Sequence, residues 1–196
     1  MEAIQRQKLK VEIVDQKIDQ KVARASYESF KGNCEPMNAL YERYGYEVVS
    51  IATNLNYARY KRKQRVQNRV EDYVLQGECY FLTMTFSDSV LANTSPKTRR
   101  AYVRRYLKSF SSCYVANIDY GKTTHREHYH ALIVAPEISK NPWHKYGFMD
   151  IRKVGSSKGN LEATCKYVVK ITNHAMKVND GILPRIIYSR PCSALK

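Results

Sequence analysis

The sequence predicts an α+β fold: an antiparallel sheet flanked by helices, preceded by an N-terminal helical extension. Three observations lead there. Over the first 75 residues the apolar positions recur every three or four residues, the period of a helix. From Cys79 onward that period gives way to short β-branched and aromatic runs. Two of those runs are joined by a polar turn too short for anything but an antiparallel pair. With 196 residues in all, the chain reads as a basic helical extension over 1–75 and one sheet-bearing domain over 76–196.

Each element has its own signal. Val11, Val14, Ile18, Val22 and Ala25 form an apolar stripe on a helix rich in Lys and Gln, which Gly32, Asn33 and Pro36 interrupt. Leu40 to Ala52 fits helix or strand. A second helical pattern runs from Asn56 to Val74, with Val66, Val70 and Tyr73 on one side and a dense basic cluster from Arg59 to Arg69. Cys79 to Phe86 (CYFLTMTF) predicts a buried strand bounded by Gly77 and Ser87. Ser95 and Pro96 open a helix with a capping hydroxyl and a proline in the first turn. Tyr114 to Asp119 and His128 to Val134 are strands around a turn containing Gly121, and Phe148 to Val154 is a further strand. Asn160 caps a helix to about Lys177, and Ile182 to Tyr188 adds a last strand. The order predicts a sheet with its helices on one face.

Composition narrows the function. Lys and Arg number 33 against 18 Asp and Glu, a net charge of +15, and Tyr accounts for 16 residues against five Phe and one Trp. A compact chain carrying that charge repels itself, so a polyanionic partner is expected, and tyrosines among cations suit bases and phosphates. No apolar run approaches a membrane span, and the polar first ten residues lack the apolar stretch of a secretory signal. The five cysteines are odd in number, widely spaced and without a C-x-x-C pair, which argues against a disulfide framework or a thiolate zinc knuckle and for a reduced, cytoplasmic setting. No phosphate-binding loop of the G-x-x-x-x-G-K-[ST] type occurs, so no ATP-driven motor is recognisable.

His128-Tyr129-His130 is the sharpest feature. Residues two apart on a strand point the same way, so both imidazoles share a face and form half of a divalent-metal site. Asp119, at the end of the preceding strand, can join them across the hairpin. Alternating histidines are more often plain surface or core residues; the hairpin carboxylate is what raises this pair above that reading. Tyr167 and Lys170 stand three apart on the last predicted helix and share a face. A core ring and a solvated charge are the ordinary reading of such a pair. A phenol is a poor nucleophile unless a metal polarises its target and a cation steadies the developing phenolate.

Taken together, FLTMTF at 81–86, HYHALIV at 128–134 and YVVK at 167–170 resemble, in order and spacing, the three motifs of HUH endonucleases of the replication-initiator type, the nicking enzymes of rolling-circle plasmids and small single-stranded DNA viruses. Asp119-Tyr120-Gly121 through His130 is similar to initiators of small single-stranded DNA phages, which place an acidic residue nine positions before the first motif histidine, as Asp119 stands to His128. The resemblance covers about residues 79–177 and implies a ferredoxin/RRM-like HUH nuclease core. It makes His128, His130 and Asp119 metal ligands for Mn²⁺ or Mg²⁺, with His125 the rival to Asp119 and Glu127 behind it. Tyr167 becomes the nucleophile and Lys170 the cation that assists it. Families with two catalytic tyrosines place the other four residues upstream, where this chain has Ala163, so a one-tyrosine enzyme is implied.

The implied function is metal-dependent, sequence-specific nicking and joining of single-stranded DNA at an origin through a 5′-phosphotyrosine, with helicase and polymerase supplied by a host. Arg99, Arg100, Arg104, Arg105, Lys108 and Lys166 are the expected DNA contacts. A non-catalytic DNA-binding or regulatory protein and a single-tyrosine transposase are the alternatives, and a structural zinc protein is disfavoured by the scattered thiols. With a single tyrosine, cutting twice calls for a second subunit or a second round of binding, so a homodimer stays open. The setting implied is the host cytoplasm.

Overall fold

The computed structural model describes residues 3–74, 76–111, 113–121, 123–155, 157–170 and 173–189. In chain order the elements are α1 (Ala3–Asp15), α2 (Ile18–Phe30), α3 (Glu35–Val74), β1 (Cys79–Phe86), α4 (Asp88–Asn93), α5 (Pro96–Phe110), β2 (Tyr114–Tyr120), β3 (Glu127–Val134), α6 (Asn141–His144), β4 (Gly147–Val154), α7 (Lys158–Val169), α8 (Asn173–Val178) and β5 (Ile187–Tyr188). By compactness the chain divides into two units, Met1–Arg62 with Asn173–Leu183, and Lys63–Thr172 with Pro184–Lys196. No helix among the described residues is long and apolar enough to cross a membrane.

The first unit is helical. The predicted stripe is carried by two helices rather than one, because Lys17 adopts a left-handed conformation (φ 55°) between α1 and α2. Val14, Ile18, Val22 and Ala25 are buried as the stripe requires. Asp19 is buried too, and it is compensated by an ion pair with Arg59 of α3, while the Asn56 amide donates to the Asp19 carbonyl at 2.9 Å. One member of the basic cluster is thus consumed inside the fold. The segment Leu40 to Ala52 is helical, with α3 interrupted at Gly45 (φ 80°, ψ 159°). The helix expected to run to Lys177 is two helices, α7 and α8; Ile171 and Thr172 lie outside the described residues.

The second unit is built on a five-stranded antiparallel sheet in the order β4-β1-β3-β2-β5. Ser95 caps α5 as its sequence predicts, its hydroxyl accepting from the Thr98 amide at 3.1 Å. Ser157, and not Asn160, caps α7. The last strand is only the two residues of β5, since the segment from Ile182 pairs with no strand until Ile187.

Alternation along the strands divides the side chains between two faces. On one face Cys79, Val115 and Leu132 pack with Val66, Val70 and Tyr73 of α3 and with Cys165 and Val168 of α7. On the other face Phe86 and Tyr129 meet edge to face, and Phe86 contacts Trp143, which in turn meets Tyr106 of α5. Helices therefore cover both faces. The expectation of a single covered face fails because β1, β2 and β3 are apolar on both sides, and each side must be removed from water. Among the cysteines, Cys34, Cys79 and Cys165 are free while Cys113 is disulfide-bonded, against the expectation of unpaired thiols. A bridge needs only two side chains within reach, which spacing does not reveal. Cys192 lies outside the described residues.

Candidate metal centre

Three strands assemble the site. The β2–β3 pairing sets Asp119 opposite His128 and Asn117 opposite His130, and the β1–β3 pairing sets Thr83 opposite His130. Strand alternation then turns Asp119, His128 and His130 to the same face. Asp119 Oδ2 lies 3.7 Å from His128 Nε2 and 3.6 Å from His130 Nε2, and the two imidazole nitrogens are 3.2 Å apart. His125, the rival ligand, stands in the β2–β3 turn with φ 51° and is outside this group. Glu127 points to the opposite face, where it is taken by Arg99.

The donors suit a divalent cation. Donors about 2.1 Å from a common ion lie roughly 3.0–3.4 Å from each other in octahedral or tetrahedral arrangements, close to the separations here. His128 Nδ1 is 3.1 Å from the Arg126 carbonyl, which can only accept, so Nδ1 carries the proton and Nε2 keeps its lone pair. His130 Nδ1 is 3.3 Å from the Thr83 hydroxyl, a partner that leaves its Nε2 bare as well. Two lone pairs and a carboxylate oxygen aimed at one point repel unless a cation sits among them.

Electrostatics keep the donors in their ligating forms. Burial is the largest influence on Asp119 and would raise its pKa. The neighbouring His130, the Lys170 ammonium and the Tyr120 amide together outweigh it and hold the carboxyl at about 2. Burial pushes the His128 pKa below its ordinary value, which keeps that imidazole neutral.

Lys170 is placed differently from its expected role. It lies one residue past the end of α7 and its ammonium is 2.7 Å from Asp119 Oδ2, so it balances the charge of the carboxylate instead of facing the Tyr167 hydroxyl. The Asn117 amide donates to the Lys170 carbonyl at 2.9 Å and holds that turn against β2. Tyr167 lies on the last turn of α7 with its side chain 54% exposed, its ring centred 5.9 Å from that of His130 and 6.1 Å from that of Phe81. It lines an open cleft of about 510 Å³ with Phe81, Thr83, His130, Arg152 and Ala163. Thr83 and Asn117 escaped sequence reasoning. The signal was present: each sits on the same strand face as a singled-out residue, but only known strand partners make that visible.

The basic helix needs correction. Arg99 is buried and its guanidinium forms a double hydrogen bond with Glu127 at 2.9 and 2.6 Å, with further bonds to the Leu91 and Thr94 carbonyls. Arg100 donates to the carbonyls of Arg185 and Ile186 at 2.6 and 3.2 Å. Both are spent on the fold, because α5 covers the sheet face opposite the metal group. Arg104, Arg105 and Lys108 are exposed on that helix, away from the triad's side of the sheet, and Lys166 is exposed on α7 but does not line the cleft. Arg99→Met is therefore expected to lower unfolding free energy by about 3–5 kcal/mol, since it strands a buried carboxylate. Arg104→Ala should stay within about 0.5 kcal/mol. Urea denaturation followed by circular dichroism measures both, and equal effects would refute the assignment.

The second unit, from β1 to the end of α7, carries the whole arrangement. Residues 79–172 match the family model of replication-associated proteins of the ORF2 type. The match takes in Asp119, His128, His130, Tyr167 and Lys170, spans just under half of the chain, and ties this stretch to replication-associated proteins. Among solved structures, the hypothetical protein ORF119 from Sulfolobus islandicus rod-shaped virus 1 aligns at 19% identity and a TM-score of 0.34, covering 54% of this chain and 90% of that one. No curated protein matches the chain.

Proposed function

We propose that this protein nicks and rejoins single-stranded DNA in a metal-dependent reaction that passes through a 5′-phosphotyrosine, as an initiator of replication. The observation that carries the reading is that Tyr167 and His130 line one cleft, with Asp119 and His128 grouped behind His130. The match to a replication-associated family over the same residues supports it.

Asp119, His128 and His130 would hold the cation, Mn²⁺ or Mg²⁺, which when bound draws charge from a non-bridging phosphate oxygen. The chain's own residues do the rest. Tyr167 Oη forms a bond to phosphorus while the bond from phosphorus to the 3′ oxygen breaks; the phenol proton leaves to solvent, and the departing 3′ oxygen gains one. The products are a tyrosyl 5′-phosphodiester and a free 3′-hydroxyl. The reverse attack by a 3′-hydroxyl rejoins a strand, so the energy of the phosphodiester is conserved and no nucleotide hydrolysis is required. Thr83 and the Arg126 carbonyl keep the imidazoles oriented, and Arg152 and Lys153 at the cleft wall supply positive charge for the DNA backbone.

A second reading has one observation in its favour. The Lys170 ammonium already neutralises Asp119, as a non-catalytic DNA-binding protein on the same scaffold would require. One experiment separates the two. Labelled single-stranded origin DNA is incubated with the protein and Mn²⁺, then run on a denaturing gel. An SDS-resistant adduct that vanishes with chelator is the expected outcome; a native gel shift without adduct would leave the binder.

A further inference from the structure

Phe148 is a large apolar side chain with no packing role: its ring is 68% exposed although its strand neighbour Met149 is buried. Its backbone, by contrast, is held firmly. The buried Trp143 donates its indole N–H to the Phe148 carbonyl at 3.0 Å. Gly147 before it (φ 157°) presses so close to β1 that a Cβ there would sit 2.1 Å from the Thr85 carbonyl oxygen. A rigid support thus presents a ring to solvent, at the cost of leaving its apolar surface in water.

The register says where that ring is. Phe148 pairs with Thr85, and Thr85 pairs with His128, so the three share one row and one face of the sheet. Two strand spacings place Phe148 about 10 Å from His128 along that row. The next rows of β4 on the same face hold Asp150 and Arg152, the latter at the wall of the cleft that Tyr167 lines.

We propose that Phe148 is a stacking platform for an unpaired base of the DNA strand whose backbone crosses the metal group. The proposal rests on the nicking reading for its choice of ligand. A strand lying over the triad has bases to place, and an aromatic face beside the triad, near a basic wall on a chain of net charge +15, is suited to take one.

The test is fluorescence anisotropy of a short labelled single-stranded oligonucleotide, with chelator present so that no chemistry intervenes. Phe148→Ala is expected to weaken binding by about 5- to 150-fold, and Phe148→Trp to restore it. An abasic site walked along the oligonucleotide should weaken the wild type at one position and leave Phe148→Ala unaffected at that same position. An unchanged urea midpoint confirms that the variant is folded. Equal affinity of Phe148→Ala and wild type, or no position-specific abasic effect, overturns the proposal. So does a wild-type dimer in light scattering that Phe148→Ala dissociates, because the ring would then belong to an interface between two copies. Since binding is read without cleavage, the two ideas fail separately. A normal adduct with a Phe148-independent affinity sinks only the platform; Phe148-dependent binding without any adduct sinks only the nicking chemistry.

Discussion

Tyr167→Phe removes a single oxygen and is expected to abolish the covalent DNA adduct while leaving binding of the same oligonucleotide intact. The phenolic oxygen is the atom that would bond to phosphorus, and phenylalanine keeps the ring that lies against Phe81 and His130. Among the described residues no hydrogen bond to that hydroxyl is seen, and the side chain is more than half exposed, so the loss carries little folding cost. The measurement is the SDS-resistant band with Mn²⁺, beside anisotropy for binding. Tyr80, which hydrogen-bonds Glu78, is the natural control, and Tyr80→Phe should leave the adduct unchanged. A surviving adduct in Tyr167→Phe would mean that another tyrosine is the nucleophile.

His128→Ala is expected to lower Mn²⁺ affinity by about 100-fold or more. Removing groups that merely orient ligands typically costs 10- to 100-fold, and a direct ligand stands at or beyond the upper end of that range. Isothermal titration calorimetry on the folded variant reads it, with no need for activity. Thr83→Val, which loses the hydroxyl beside His130 but no donor atom of the triad, should fall within the 10- to 100-fold range. Affinity unchanged in His128→Ala would remove the imidazole from the ligand set, whatever the DNA chemistry.

Much of the second unit was legible because its signals are local. The strand of CYFLTMTF, the Ser95–Pro96 helix start and the His128/His130 alternation depend on residues within a few positions of each other. The choice of Asp119 over His125 was narrowed by spacing but decided by register, since only the pairing of Asp119 with His128 carries the carboxylate to the face of the imidazoles. The basic residues of α5 misled for the same reason. Their density is a property of the sequence, whereas the fate of each guanidinium depends on which sheet face the helix covers, and that buried Arg99 against Glu127.

By itself, then, the sequence determined the α+β class, most strand and helix positions in the second unit and the two-apart histidines, because helix and strand periods are set by a residue's immediate neighbours. Tertiary structure alone decided that both sheet faces are covered and that Lys170 turns to Asp119. It alone set Thr83 behind His130 and left the Phe148 ring in the open. Each of these follows from strand order and register, which bring together residues dozens of positions apart, and no local pattern encodes such meetings.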